Sequence, residues 1–364
     1  MRVVLALIIA AALASCGGPA LRSVNHGLAK SYHDPVGYLT NAVREGNLIE
    51  VMRCVEGGLV DVNARDAYGW TPCMYAAQNG RDALIEYLAA KGADINLTDD
   101  RSGPAFMIAL EYNRPDTAKY LLDLGAKVPP ADASGTSALM KAVSRGFVEM
   151  TADLVRRGCD VNARDSRGRT ALLMALEGRY FDAAHLLLDK GADPDIQDSN
   201  GISPLIVAVE NNYVDMMKSL LARGAKPNVK SRDGKPAVML AVYNRRVDAL
   251  RVLIKGGADL NIPDSEGVTP LICAIGNRQT QMVPVLVEGG ADPDRRGPDG
   301  TTALMTAAQY GYYDTVVYLK EHGADPRVAN RFGKTAAMLA RESRYDAIAD
   351  YLEKTVKEGP GHEK

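Results

Sequence analysis

Residues 66–72 read Asp-Ala-Tyr-Gly-Trp-Thr-Pro, and this short turn carries the local signals that decide the fold. Gly69 can adopt the positive φ of a tight turn. Thr71 is placed to cap a helix through its hydroxyl, and Pro72 stands at the first helical position, where its missing N–H costs nothing. The stretch therefore predicts a tight turn that leads directly into a helix.

Two short helices are predicted after this turn. The first reaches about Asn79, where Gly80 can end it in the left-handed conformation. The second begins near Asp82 and carries apolar residues at helical spacing until Gly92 closes it. The unit is thus predicted to run turn, helix, loop, helix, turn.

The same unit recurs every 33 residues. Glycines at the positions of Gly69 and Gly92, and alanines at the position of Ala76, return at this interval or its multiples through nine consecutive units. Residues 41–63 form an earlier unit with a shortened start, and the last unit spans residues 330 to about 356. A fixed period of this length indicates a repeat architecture in which each unit packs on its neighbours.

The repeated motif, Gly-x-Thr-Pro-x-x-x-Ala-Ala followed by Gly-Ala-Asp-x-Asn, resembles the ankyrin repeat, and residues 264–296 are among the closest copies. The resemblance implies an all-α fold: an ankyrin-repeat solenoid of about ten 33-residue helix-turn-helix units with short hairpin-like turns. The histidine that usually follows Thr-Pro-Leu in the family is absent, and an apolar residue such as Met74 replaces it. We therefore expect apolar packing where the family has a polar network.

The N-terminus has the layout of a secretory signal. Arg2 precedes twelve apolar residues, 3–14, whereas a membrane-spanning helix needs roughly 20. Leu-Ala-Ser-Cys at residues 13–16 resembles the lipobox of bacterial lipoproteins. That resemblance implies a lipid on Cys16 and, because Gly17 rather than Asp follows, an outer-membrane location in the cell envelope that faces the periplasm. An ordinary cleaved signal and a buried helix with a chance cysteine are the alternatives.

Four segments follow from these patterns. Residues 1–15 are the predicted lipoprotein signal peptide, and residues 16–35 are a flexible tether with glycine, proline and no sustained period. Residues 36–356 are the predicted ankyrin-repeat solenoid. Residues 357–364 form a C-terminal tail.

Charge and motif content favour a protein without catalysis. The formal net charge of −2 gives no positive footprint for nucleic acid or anionic lipid. The acidic residues recur at two repeat positions: the start of second helices, where they meet the positive helix end, and the turns, where they bond backbone N–H groups. No zinc spacing, phosphate loop or nucleophile elbow occurs. We expect no catalytic residue, no metal, no cofactor and no small-molecule substrate.

Cysteine pairing is restricted by the repeat spacing. Neighbouring repeats stand roughly 10 Å apart and a disulfide needs Cα atoms within about 7 Å, so Cys159 and Cys273, several units apart, cannot pair with each other. Cys54 and Cys73 lie in consecutive units. The sequence leaves open whether they form a disulfide or remain core thiols.

A partner protein is expected to bind at the turn tips and the exposed side of the first helices, which is where the family resemblance places binding. Exposed Tyr, Trp and Arg are the usual hot-spot residues of protein interfaces. The side chains of these types that vary between repeats, and that we predict to bind the partner, are Tyr68, Trp70, Arg101, Tyr112, Arg145, Arg167, Arg169, Arg232, Tyr243 and Tyr310. For Trp70, packing on the neighbouring turn is an equally good interpretation.

The predicted function is a lipid-anchored scaffold of the bacterial envelope that binds another protein, has no catalysis of its own and binds no nucleic acid. An immunity-type inhibitor of a periplasmic toxin or enzyme is one alternative. A structural surface spacer without a dedicated partner is the other.

Overall fold

A computed structural model describes residues 34–99 and 103–358 of the chain. Within these residues the regular structure is α-helical, apart from one 3-10 turn at Pro298–Gly300 and three isolated β-bridges. The prediction of an all-α fold built from repeated helix-turn-helix units is confirmed. The predicted signal peptide, Cys16, most of the tether, Arg101 and residues 359–364 lie outside the described residues.

The chain forms two compact units, Met1–Cys159 and Asp160–Lys364. In the first unit, the described helices are α1 Pro35–Glu45, α2 Leu48–Glu56, α3 Pro72–Asn79, α4 Asp82–Ala90, α5 Ala105–Glu111, α6 Pro115–Asp123, α7 Ala138–Ser144 and α8 Val148–Arg156. They make four pairs. The odd-numbered helix of each pair is the first helix of a repeat.

The second unit continues the same order with six pairs. Its described helices are α9 Ala171–Glu177, α10 Phe181–Asp189, α11 Pro204–Glu210, α12 Val214–Ala222, α13 Ala237–Tyr243, α14 Val247–Lys255, α15 Pro270–Gly276, α16 Met282–Glu288, α17 Ala303–Gln309, α18 Tyr313–Glu321, α19 Ala336–Glu342 and α20 Asp346–Glu358. Within each unit, first helices pack against first helices of adjacent repeats and against their own second helix.

The first helices begin where the sequence predicts, because a hydroxyl caps them. Thr71 accepts a hydrogen bond from the backbone N–H of Met74, three residues into α3. The same cap is made by Ser137, Thr170, Ser203, Thr269, Thr302 and Thr335. Asp34 caps α1 through its carboxylate instead, whereas Pro104 and Pro236 take the cap positions of α5 and α13 and make no side-chain cap bond. Hydroxyl caps of this kind stabilise a helix by about 1 kcal/mol.

The core lies along the first helices. In α9, every residue from Ala171 to Leu176 is buried, whereas α10 buries one side only, through Ala183, Ala184, Leu187 and Leu188. The position that carries histidine in the family is buried and apolar in the inner repeats, as predicted. In the last described repeat the equivalent Met338 is 53% exposed, because no described repeat covers it.

The acidic residues occupy structural positions, as predicted. The first turns of the second helices hold Asp116, Glu149, Asp182, Asp215, Asp248 and Asp314. In the turns that follow the second helices, a carboxylate accepts a hydrogen bond from the backbone N–H two residues later, at Asp94, Asp160, Asp193, Asp259, Asp292 and Asp325.

One hydrogen bond joins successive repeats in register. The Asn162 side-chain oxygen accepts from the backbone N–H of Asp193, 31 residues later, at 2.8 Å. The same bond recurs from Asn63 to Asp94, Asn96 to Lys127, Asp195 to Lys226, Asn228 to Asp259, Asn261 to Asp292 and Asp294 to Asp325. We call this series the amide ladder. Pro129 occupies the ladder position in the last repeat of the first unit and has no side-chain acceptor.

Removal of one hydrogen bond of the amide ladder tests whether the ladder stabilises the fold. Asn162→Ala should lower the free energy of unfolding by about 1–2 kcal/mol, because the amide of Asp193 loses its acceptor. Urea unfolding followed by circular dichroism measures the change. Asn244→Ala is the matched control, since Asn244 is exposed and makes no side-chain hydrogen bond within the described residues. Equal midpoints for the two variants would contradict a stabilising role for the ladder.

Candidate protein-binding surface

The predicted partner-binding residues fall on the two units separately. Tyr68, Trp70, Tyr112 and Arg145 lie in the first unit. The second unit holds Arg167, Arg169, Arg232, Tyr243 and Tyr310. Tyr68 is the most accessible of the aromatic side chains, at 80% exposed, and Arg145, Arg167 and Arg232 are also exposed. Two others, Trp70 and Arg169, are held by neighbouring side chains.

Trp70 packs on the neighbouring turn. Its indole Nε1 donates a hydrogen bond to Oδ2 of Asp99 at 2.7 Å. Its ring centroid lies 5.0 Å from that of Tyr75 and 6.3 Å from that of Tyr112, which meets it nearly at right angles. The packing interpretation of Trp70 is therefore confirmed. Its indole joins two turns, and Tyr112 remains 44% exposed beside it.

The sequence prediction missed Tyr75, which anchors this aromatic cluster. Tyr75 is buried, and its hydroxyl donates to Oδ2 of Asp66 at 2.5 Å while the guanidinium carbon of Arg44 lies 4.4 Å from the ring centroid. Burial and the bond to Asp66 raise the pKa of Tyr75 to about 12. No other repeat carries an aromatic residue at this position, and that difference is the signal that could have found it.

Arg169 is already engaged by its own repeat. Its guanidinium lies 2.9 Å from Oδ2 of Asp165 and 3.2 Å from Oε2 of Glu177. Burial alone would raise the pKa of the Asp165 carboxyl, but hydrogen bonds from the Arg169 backbone and side chain outweigh burial and lower it. Arg169 therefore stabilises its turn, and the exposed Arg167 is the side chain of this tip that is free to reach a partner.

An open cleft of about 840 Å³ lies on the second unit where turn tips meet first helices. Three consecutive segments line it: Asn200 and Ile202 of one tip with Glu210 at the end of α11; Ser231, Arg232, Asp233 and Lys235 of the next tip; and Leu240, Tyr243 and Asn244 around the end of α13. The cleft brings together two of the predicted residues, Arg232 and Tyr243. We call it the α11–α13 cleft.

The groups in the α11–α13 cleft differ in how they are held. Arg232 donates to Oδ1 of Asn200 at 3.1 Å. The Lys235 Nζ lies 4.6 Å from the ring centroid of Tyr243. Burial, with neighbouring Cys273 and Asp264, raises the pKa of Tyr243 to about 12, so its hydroxyl stays protonated at neutral pH. Tyr243 is 40% exposed and is available as an aromatic contact.

The remaining predicted aromatic, Tyr310, directly follows α17, the first helix of its repeat. Its ring lies 6.0 Å from that of Tyr312, and about half of the side chain is exposed. Phe332, at the tip of the last described turn, is 70% exposed.

The four described cysteines are free thiols. Cys54 and Cys73 are buried and unpaired, so the possible disulfide between them is absent. Burial raises the pKa of the Cys73 thiol to about 12, which keeps it protonated and unreactive. None of the His, Cys, Asp and Glu side chains of the described residues group in threes as a metal site would need. Over the same residues, no helix combines the length and apolarity needed to cross a bilayer.

The profile of the family described as ankyrin repeats (3 copies) matches six overlapping stretches of the chain, at residues 22–99, 39–132, 106–198, 139–231, 205–297 and 290–358. The chain belongs to the ankyrin-repeat family. A solved ankyrin-repeat domain, that of Bcl-3, a member of the IkappaB family, superposes with a TM-score of 0.55 at 26% identity, over 60% of this chain and 99% of that one.

Among curated proteins, this ankyrin-repeat chain is similar to segments of larger or different proteins. It is 44% identical over 79 residues to the mitochondrial disaggregase of Bos taurus, which is 22% of this chain and 12% of that protein. It is 39% identical over 83 residues to protein phosphatase 1 regulatory subunit 27 of Homo sapiens, which is 23% of this chain and 53% of that protein. The chain thus spans about an eighth of the bovine relative, and the likeness lies in the repeats.

The lowered pKa of Asp165 predicts a pH-dependent contribution to stability. The folded pKa lies below the unfolded value of about 3.9, so this contribution is complete above that value and disappears as pH falls through the folded pKa. Asp165→Asn should lower the free energy of unfolding by about 1–2 kcal/mol at pH 7 and by much less near pH 2.5.

Urea midpoints at the two pH values measure this effect. Asn330 shows that an asparagine at this turn position still accepts the two backbone hydrogen bonds, so the substitution isolates the charge. Asp233→Asn, at an exposed tip carboxylate without an ion pair in the described structure, is the control. A cost for Asp165→Asn that is the same at both pH values would show that its charge does not stabilise the fold.

Proposed function

We propose that this ankyrin-repeat chain is a non-enzymatic scaffold that binds another protein through its turn tips and first helices, and that lipid on Cys16 anchors it in the bacterial cell envelope, at the outer membrane facing the periplasm. The α11–α13 cleft is the observation that carries the binding part of this proposal. It is an open concavity that combines Tyr243, Arg232 and two carboxylates at the place where turn tips and first helices meet.

Repeated positions and variable positions of the chain have different uses, and this difference supports a binding function. Positions that repeat every 33 residues are used for caps, turn bonds and the amide ladder, so they are explained by the fold. Most of the residues that line the α11–α13 cleft, including Arg232 and Tyr243, differ from their equivalents in the adjacent repeats. Exposed side chains that the fold does not require, and that include tyrosine and arginine, are typical of the energetic centre of a protein interface.

The anchoring part of the proposal rests on the sequence of residues 1–17. The short apolar run, the preceding arginine and Leu-Ala-Ser-Cys support a lipidated Cys16 as the first mature residue. Stable attachment takes more than one acyl chain, as a lipoprotein cysteine would carry. The tether would then hold the repeats away from the bilayer surface.

Capture of the partner from an envelope extract tests the binding proposal. The double variant Arg232→Ser with Tyr243→Ala should lose at least about 90% of a partner that the native chain retains, because loss of two central contacts of about 1–2 kcal/mol each lowers affinity by about one and a half to three orders of magnitude. Arg251→Ser with Tyr313→Ala, the same exchanges at exposed residues of the second helices α14 and α18, is the matched control and should retain it.

The outcomes separate the alternatives. A partner lost only in the cleft variant supports the scaffold, and its identity decides between an inhibitor of a toxin or enzyme and an adaptor that holds an envelope protein. A partner retained equally by both variants would contradict binding at this cleft. Absence of any retained partner under several growth conditions would favour the structural spacer.

Lipid anchoring has its own test. The native chain, expressed in a Gram-negative bacterium and labelled with an alkyne-bearing fatty acid, should incorporate label and sediment with outer membranes. Cys16→Ser should abolish the label and move the chain to the soluble fraction, because the thiol is the acceptor. Unchanged sedimentation of Cys16→Ser would contradict the anchor.

A further inference from the structure

A charged pair recurs on the first-helix face of the second unit. Arg169, directly after a tip glycine, lies 3.2 Å from Glu177, eight residues later at the end of α9. Lys334 and Glu342 repeat this arrangement at 2.7 Å in the last described repeat. In both repeats the base after the tip glycine neutralises the acid at the helix end.

The repeat that contributes α11 keeps the acid and lacks the base. Ile202 stands at the position of Arg169, and Glu210 stands at the position of Glu177. Glu210 has neither an ion pair nor a side-chain hydrogen bond within the described residues. Burial and the nearby carboxylate of Asp233 raise the pKa of Glu210, so its negative charge is poorly compensated where it stands.

The next repeat shows the opposite mismatch. It keeps the base, Lys235, but Tyr243 replaces the acid, and the ammonium group lies over the tyrosine ring. Arg232, the other cation of the cleft, is bonded to Asn200. Both cations of the α11–α13 cleft therefore have partners, whereas the carboxylates of Glu210 and Asp233 have none within the described chain.

We propose that the α11–α13 cleft binds an arginine or lysine side chain of the partner protein, with the cationic group at the carboxylates of Glu210 and Asp233 and the aliphatic stem along Ile202. The inference rests on the proposed function, because it names the chemistry of the partner at the same cleft. The partner's cation would occupy the position next to Glu210 that Arg169 occupies next to Glu177 and that Lys334 occupies next to Glu342.

Physical chemistry favours a cation over other occupants. A carboxylate without a cation beside it gains a charge-assisted hydrogen bond when a guanidinium or ammonium group reaches it, and such bonds are about twice as strong as neutral ones. The methylene stem of arginine or lysine can lie on an apolar side chain while its head stays polar. Ile202 provides that apolar surface in the same cleft as Glu210.

A small probe tests the site without knowledge of the partner. The full chain, labelled at leucine and isoleucine methyl groups, is titrated with N-acetyl-arginine methylamide and followed by nuclear magnetic resonance. The Leu240 methyl signals, inside the cleft, should shift and saturate. N-acetyl-citrulline methylamide, which is similar in shape but neutral, should bind at least about tenfold more weakly.

Three variants make the test specific. Glu210→Gln should weaken binding of the arginine probe by about tenfold or more. Ile202→Arg should weaken it similarly, because it supplies the missing base within the repeat, in the register of Arg169. Glu177→Gln is the matched control: its carboxylate is already paired with Arg169, so probe affinity should not change. Thermal midpoints confirm that each variant is folded.

The inference is overturned if the citrulline probe binds as well as the arginine probe, if Glu210→Gln keeps native affinity, or if no saturable shift occurs. These failures differ from failure of the proposed function. A captured partner that is lost in Arg232→Ser with Tyr243→Ala, but not in Glu210→Gln, would preserve protein binding at the cleft and reject the basic side chain.

Discussion

The hydrogen bond between a ladder side-chain oxygen and the backbone N–H of the next repeat, 31 residues later, is the interaction on which the rest of this structure depends. A single helix pair cannot bury enough apolar surface to fold alone, so its stability comes from its neighbours. The ladder fixes how far apart and in which register those neighbours stand. Once the register is fixed, the first helices bury their alanine and leucine faces against each other, and the tips of successive turns stand side by side.

A fixed register also determines where function can reside. Residues that satisfy caps, turns and the ladder cannot vary without cost, and they recur in nearly every repeat. The residues available to bind a partner are therefore those at the few positions that vary between repeats. In two other repeats of the second unit, a base and an acid eight residues apart form an ion pair. In the α11–α13 cleft, one repeat has only the acid, Glu210, and the next has only the base, Lys235, which lies over a tyrosine ring. The cleft therefore combines a rigid frame with uncompensated charge, which is suited to recognition of a partner.

The sequence predicted most of the fold because its signals are local. Thr71, Pro72 and Gly80 determine the bounds of α3 through contacts within a few residues, and the period carries this result along the chain. The binding surface was predicted less well because its contacts cross between repeats. Nothing near Trp70 in the chain indicates that Asp99, 29 residues later, holds its indole. The ion pair of Arg169 with Glu177 could have been predicted, because a base and an acid recur eight residues apart in two repeats. Finding it requires a comparison of equivalent positions between repeats.

The central claim is that this chain binds another protein through the α11–α13 cleft. Site-specific photo-cross-linking in cells that express the chain at its native level tests it most directly, with benzoylphenylalanine in place of Tyr243 in the cleft or of Tyr313 on the second helix α18. A discrete adduct of higher mass from position 243 and none from position 313 is the predicted result. Adducts from neither position, or the same adducts from both, would contradict the claim.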